Sequence, residues 1–527
     1  MGIYLNPDNE GFSTSVRSKI YIDKTGLIDY MNQILDTEDK FISVSRPRRF
    51  GKSMAAKMLI AYYSRGCNSH ELFQNYEIAE KDSFLQNLNK YDVIRLDMQL
   101  IRSTAMNEGC RDKLLFYLQE KVIEELTQVY GEFLTGKEKS LAGAFQQLHA
   151  SGGKKFIVII DEWDCIFREE KENRELQEEY ITFLRSLFKG AAAEECIHLA
   201  YITGILPIKK YGTESALNNF DEYTMIHPKG LTDYFGFTEA EVEGLCRKYE
   251  MDFSEAKHWY DGYFFKRKIH IYNPKSIVQA MVNGEFENYW TQTETYEGLK
   301  SYIDLNFDGL KDAIIYMIGG GRCEIDTGAF QNDMTSFRSK DDILTLLVHL
   351  GYLAYDKCCK EVYIPNEEIR EEFIRAVRNS GWEKIVNIFS DSRELLEATW
   401  ALDSDKVAEK IDEAHLSSVS VLNYNDENAL SCVIALAYIS ARADYMLIRE
   451  FPSGKGFADI VFLPHSYSEK PAMIVELKWN KQAEGAIAQI KDKKYVKALE
   501  GYAGDLLLVG ISYQKKYKKH ECIIEKV

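Results

Sequence analysis

Three groups of residues in this chain are of the types that handle phosphate. The first is Gly51-Lys52-Ser53, placed between the β-prone run Phe41–Val44 and a helix-forming run with Met54, Met58 and Leu59. Strand, Gly-Lys-Ser loop and helix is the setting of a phosphate-binding P-loop. Backbone N–H groups and the helix N-terminus cradle an anion, Lys52 reaches the terminal phosphates, and the Ser53 hydroxyl ligates magnesium. The second group is Asp161-Glu162, which ends the continuous apolar run Phe156–Ile160. Such a run reads as a central parallel strand buried on both faces, and acids at its carboxyl end lie where these sheets hold ligands. Asp161 is then suited to hold Mg²⁺ through water, and Glu162 to orient an attacking water. A plain strand-to-helix turn and helix-capping acids are the competing explanations. Their occurrence together favours a nucleoside triphosphate site.

The third group lies near the carboxyl end. In the strand-like run Ala472–Trp479, Glu476 and Lys478 are two residues apart and so share a face. Two charges on one face of an apolar strand are costly unless something pairs with them. Asp459 sits inside the neighbouring strand-like run Phe457–Leu463. If the two runs form a hairpin, two carboxylates and a lysine converge into an oxygen-ligand site for Mg²⁺ or Mn²⁺. Such a metal polarises a phosphodiester and helps generate hydroxide, with Lys478 placed to position the water or steady developing charge. A surface salt bridge on an edge strand is the alternative.

These residues need elements to hold them. Strand runs at Phe41, Val93–Asp97, Phe156 and Ile197–Thr203 alternate with helical stretches, including Arg111–Tyr130, Leu141–His149 and Asn173–Lys189. That alternation predicts a parallel α/β sheet. The pattern changes near Leu231, where Thr238 and Glu241 open a helix as a capping box. Residues 280–395 read as helices with short strands, in the manner of a winged-helix lid, and Leu395–Leu416 reads as a helical linker. A buried helix over Glu427–Ala441 precedes the carboxyl-terminal strands, and Ala483–Tyr495 reads as a helix after them. The expected domains are 1–230, 231–395 and 396–527.

At 527 residues the chain is too long for one ordinary core. Its 45% hydrophobic and 28% charged residues are those of a soluble globular protein. The opening residues lack the basic and apolar regions of a signal peptide, and no apolar run is long enough to span a bilayer. The ten cysteines have no CxxC or zinc-type spacing, which fits reduced thiols and a cytoplasmic setting. A net charge of −17 argues against bulk coating of nucleic acid. From Phe451 to Val527, however, 13 Lys and 9 Asp or Glu give a net of +4, which leaves room for local phosphate contact.

Tyr21-Ile22-Asp23-Lys24-Thr25, Arg46-Pro47-Arg48-Arg49-Phe50-Gly51-Lys52-Ser53 and Ile160-Asp161-Glu162-Trp163-Asp164 resemble the signatures of the AAA-ATPase-like family of prokaryotic proteins. The usual P-loop has Gly where this chain has Arg46, and in that family an Arg-Pro-Arg-Arg-x-Gly-Lys-Ser loop takes its place. The resemblance implies that Arg46 through Ser53 bind nucleotide, that Thr203 at the end of its strand senses the γ-phosphate, and that Tyr21–Thr25 lie near the base. Trp259-Tyr260-Asp261-Gly262-Tyr263 and Tyr272-Asn273-Pro274-Lys275-Ser276 also resemble family signatures, although aromatics around such turns more often form packing corners. Many members carry a PD-(D/E)XK nuclease-like domain. Asp459, Glu476-Leu477-Lys478 and Gln489 on the next helix resemble its motif, and the same resemblance makes Glu427, Glu450 and Tyr495 accessory residues. Together these imply an α/β protein with a P-loop NTPase parallel sheet, a mainly helical middle region and a carboxyl-terminal α/β restriction-endonuclease-like domain. The expected cofactors are ATP and Mg²⁺, or Mn²⁺ at the second site. The expected partners are nucleic acid, DNA before RNA, and further copies of the chain, with no membrane. Arg168 and Arg185 are the arginines considered for a finger acting on a neighbouring protomer. The alternative function is a nucleotide-dependent switch or adaptor that binds nucleic acid or protein without cleavage.

Overall fold

The computed structural model describes residues 2–527 except 136–137, 209, 212–213, 216, 266–268, 291–295, 306, 308, 333, 335–336, 380–382, 419–426, 454–455, 466–467, 469 and 494–503. The chain forms two compact units, residues 1–293 with 325–366, and residues 294–324 with 367–527.

The first unit is built on five parallel strands: β1 (Phe41–Ser45), β2 (Asp92–Asp97), β3 (Phe156–Asp161), β4 (Ile197–Gly204) and β5 (Asp221–Tyr223). Their order is β2-β3-β4-β1-β5. All of β1 is buried, as are Phe156–Ile160 of β3, because helices cover both faces of the sheet. Ile94, Val158, Ile160 and Ile202 pack into the core on one face, and Ile42, Val44, Ile159 and Tyr201 into the core on the other. Register aligns Asp97 with Asp161, Asp161 with Thr203, and Thr203 with Val44. One row of residues thus crosses the carboxyl end of the sheet.

Residues 231–293 and 325–366 belong to this unit. The helix Glu239–Tyr249 starts from the expected Thr238–Glu241 capping box. Short strands Ala354–Asp356 and Glu361–Tyr363 pair as a hairpin.

The second unit holds β6 (Tyr445–Ser453), β7 (Gly456–Pro464), β8 (Ala472–Trp479), β9 (Leu506–Gln514) and β10 (Lys519–Lys526), in that spatial order. Every pairing is antiparallel except β8 with β9. Leu395, Val407, Ile411, Leu430 and Ile434 pack on one face against Val475, Leu477, Val509 and Ile511. Leu395–Leu416 is therefore part of this core and not a linker. It is divided between the helices Glu383–Trp400 and Ser404–Ser418. On the other face, Ile487 and Ile490 of the helix Glu484–Asp492 cover Ile474 and Leu508. Among the described residues no helix is long and apolar enough to cross a membrane.

Candidate functional site

The loop between β1 and the helix Lys52–Tyr63 (α1) turns through two left-handed residues, Arg49 at φ 69° and Gly51 at φ 88°. A side chain at Gly51 would have open space, so it is the backbone conformation that favours glycine there. α1 then begins at Lys52 with its first N–H groups at the carboxyl end of the sheet. The buried Lys52 ammonium donates to the carbonyls of Arg46 at 2.9 Å and Pro47 at 2.8 Å. Burial pulls it down to about 8, opposed by Asp164, Asp161 and Glu162. Arg48 and Arg49 are exposed, and Phe50 is buried with its ring 5.5 Å from that of Tyr263.

Arg46 is fully buried and faces away from solvent. One nitrogen donates to the carbonyls of Ser45 and Tyr223, each at 2.9 Å. The guanidinium carbon lies over the rings of Phe235 and Phe265, 5.6 and 5.7 Å from their centroids. A desolvated cation over a ring gains about 2 kcal/mol. Arg46 thus pins the base of the loop to the segment after β5, and its side chain does not line the phosphate cradle. Pro47 is held by close packing. A Cβ on Gly351, itself at φ 89°, would lie 2.8 Å from the proline ring. Tyr263 donates to the Gly351 carbonyl and Tyr363 to that of Gly262, so the Trp-Tyr-Asp-Gly-Tyr signature buttresses the loop.

Asp161 comes to the cradle at the end of β3. Burial raises its carboxyl to about 6 against the lowering effect of the Ser53 hydroxyl, with Asp97 adding to the rise and Lys52 opposing it. Ser53 and Asp161 are thus adjacent, as a shared magnesium requires. Glu162 follows in a left-handed conformation, φ 53°, with its carboxylate 2.6 Å from Arg168. Thr203 is fully buried beside the Tyr201 phenol. Tyr21–Thr25 are engaged structurally. Lys24 bonds the Asp233 carbonyl and the Glu241 carboxylate, and Asp23 and Thr25 receive the N–H groups of Glu77 and Ile78.

In the second unit the expected hairpin is present: β7 pairs antiparallel with β8, Ile460 opposite Val475. Asp459 accepts the Leu477 N–H at 2.7 Å. Glu476, 1% exposed, accepts from Lys478 at 2.9 Å and from the side chain of Gln489. Its second oxygen is buried without a hydrogen-bond partner among the described residues. Burial, followed by the Asp459 charge, raises the Glu476 carboxyl to about 7, with Lys478 pulling the other way. A buried acid beside another acid, with an orphaned oxygen, is a donor set that fits a divalent cation.

Gly510 makes the convergence possible. It lies opposite Glu476 on β9, and a Cβ there would come within 2.8 Å of the Ala483 carbonyl. The missing side chain lets the helix carrying Gln489 lie close against the sheet. Glu450 is exposed and left-handed at φ 50°. Glu427 starts its helix, but its side chain is outside the described residues, as is the whole of Tyr495.

A parallel sheet with a Gly-Lys-Ser loop facing an acid pair, joined to a mixed sheet bearing Asp459, Glu476 and Lys478, defines a P-loop ATPase-like protein with a nuclease-type domain. Residues 13–213 match the family described as Predicted AAA-ATPase, and residues 425–522 match the PD-(D/E)XK nuclease superfamily. The chain carries both domains. It is 26% identical over 285 residues to an uncharacterized protein in the vnfD 5′ region of Azotobacter chroococcum mcd 1, covering 52% of this chain and 51% of that one. It thus spans about half the length of the curated relative it matches. Among solved structures, the Aeropyrum pernix ORC2 protein in ADPNP-ADP complexes aligns with a TM-score of 0.30 and 11% identity, over 69% of this chain and 97% of that one.

Proposed function

We propose that the chain binds and hydrolyses ATP in its first unit and cleaves nucleic-acid phosphodiesters, of DNA before RNA, in its second, with nucleotide state gating the cutting. The observation that carries the nuclease reading is the buried Glu476 carboxylate. It has Asp459 beside it, Lys478 and Gln489 as its donors, and one oxygen left open. A carboxylate buried at that cost is explained by a cation it serves. Asp459 and Glu476 are the residues to hold Mg²⁺ or Mn²⁺, which supplies Lewis-acid polarisation of the phosphodiester and a hydroxide at neutral pH. Lys478 steadies negative charge on the reacting phosphate, and Gln489 fixes the Glu476 carboxylate.

In the first unit, Lys52 and the N–H groups from Gly51 onward take the phosphates. Ser53 and Asp161 are the residues to hold Mg²⁺, which screens the phosphate charge. Glu162 orients the attacking water, and Thr203 senses the γ-phosphate.

The test is cleavage of single- and double-stranded DNA and of RNA in Mg²⁺ or Mn²⁺, with and without ATP, comparing wild type with Lys478→Ala. Cutting by wild type that depends on ATP and is lost in the variant supports the proposal. Absence of cutting from every substrate, with ATP bound, replaces it with the non-cleaving switch.

A further inference from the structure

Arg168 occupies a position that no role in nucleotide binding explains. It is only 8% exposed and lies on the short helix Cys165–Glu169, which follows the acid pair. It meets three carboxylates: Glu162 at 2.6 Å, Asp164 at 3.2 Å and Glu169 at 3.8 Å. Burial opposes its charge, but Asp164 and Glu162 hold the guanidinium above its ordinary value. An arginine enclosed in this way is not presented to a neighbouring protomer, so it does not serve as a finger in trans.

Asp164 links this group to the sheet. It is completely buried, and one of its oxygens accepts the N–H groups of Ile205 at 3.0 Å and Leu206 at 2.8 Å. Those amides continue directly from Thr203-Gly204 at the end of β4. Contact is that close because residue 204 is glycine: a Cβ there would fall 2.7 Å from the Asp164 carboxylate and from the Trp163 ring. The backbone N–H of Trp163 also donates to the Thr203 carbonyl at 2.9 Å. An unbroken series of polar contacts therefore runs from the end of β4 through Asp164 and Arg168 to Glu162.

We propose that Arg168 is the positioning residue for hydrolysis, aiming the Glu162 carboxylate and tying its placement, through Asp164, to the end of the strand that bears Thr203. The inference rests on Glu162 being the residue that orients the attacking water. Glu162 needs such a hold: its side chain is 38% exposed on a left-handed residue, and a carboxylate left to rotate into solvent spends little time in a productive pose. When the end of β4 shifts, the two amides move Asp164, Asp164 moves Arg168, and Glu162 follows.

The experiment measures steady-state ATP hydrolysis and nucleotide affinity in the 527-residue chain for wild type, Arg168→Met, Arg168→Lys, Glu162→Gln and the double variant Glu162→Gln/Arg168→Met. Arg168→Met is expected to lower kcat about 10- to 100-fold with KM and the affinity for a non-hydrolysable ATP analogue within about twofold. Arg168→Lys is expected to recover part of the loss. In the Glu162→Gln background, Arg168→Met should cost nothing further, because there is no longer a base to aim. An unchanged or raised kcat in Arg168→Met overturns the proposal, as does an equal loss in both backgrounds, which marks a merely structural arginine. Full hydrolysis by Glu162→Gln removes the role of Glu162 itself, a failure distinguishable from the others. Asp164→Asn, which keeps one acceptor for the two amides, should reproduce the kcat loss with a wild-type melting curve. Normal turnover in that variant breaks the link to β4.

Discussion

The Glu476 carboxyl gives a prediction whose size follows from its surroundings. Folding raises it from an ordinary 4.5 to about 7, because burial and the neighbouring Asp459 disfavour its charge. Between those values the folded chain holds a proton that the unfolded chain has released. Stability therefore falls as pH rises from about 4.5 to 7, and the deficit persists above 7. At 1.36 kcal/mol per pH unit the total is about 3 kcal/mol, in the absence of divalent cation. Glu476→Gln keeps an acceptor for Lys478 and Gln489 but has no charge to desolvate. The variant should match wild type near pH 4.5 and exceed it by up to about 3 kcal/mol at pH 8. Mn²⁺ should erase that difference by stabilising wild type alone, and more at pH 8 than at pH 5.5, since it binds the ionised form. Calorimetry of the 527-residue chain across this range, with and without Mn²⁺, is the assay. Parallel pH profiles for the two proteins, or equal stabilisation of both by Mn²⁺, would refute the reasoning.

Other outcomes follow from the same kind of argument. Lys52→Ala should abolish ATP binding measured by calorimetry. In wild type, affinity should fall as pH rises through about 8, where the ammonium held by Arg46 and Pro47 loses its proton. The raised Asp161 carboxyl implies that Mg²⁺-dependent tightening of ATP binding disappears as pH falls through about 6, and Asp161→Asn should lack that tightening at every pH. Gly510→Ala should reduce nuclease activity about 10-fold or more by pushing the Gln489 helix off the sheet, while ATP binding stays at the wild-type level. Activity equal to wild type would show that the close approach at Gly510 is not needed.

The parts of this molecule that were legible in sequence are those whose meaning is local. Gly51-Lys52-Ser53 and Asp161-Glu162 declare themselves because each motif fits within one strand-to-helix turn. Glu476 and Lys478 do so because a two-residue spacing on a strand forces a shared face. Asp459 and Gln489 needed only the neighbouring hairpin and helix. In sequence Arg46 belongs with the nucleotide-binding loop, because the surroundings that claim its guanidinium, Tyr223, Phe235 and Phe265, are far away in the chain and carry no mark of the pairing. Arg168 is a candidate finger in sequence because its partners Glu162, Asp164 and Glu169, although close in the chain, do not show there that they enclose it, and the amides that fix Asp164 come from the end of β4. Leu395–Leu416 read as a linker because its helical periodicity shows an apolar stripe without showing the sheet that covers it. Gly510 gave no signal at all, because the need for a missing side chain appears only when helix and strand are seen together.

The Lys52 ammonium spends its hydrogen bonds on the carbonyls of its own loop. Two of its three N–H groups are engaged in this way among the described residues, so the long side chain is held across the loop with its third donor left for a ligand. The rotamer freedom that a lysine stem loses on meeting a phosphate is then largely gone before the phosphate arrives, and the main chain of the loop is what removes it.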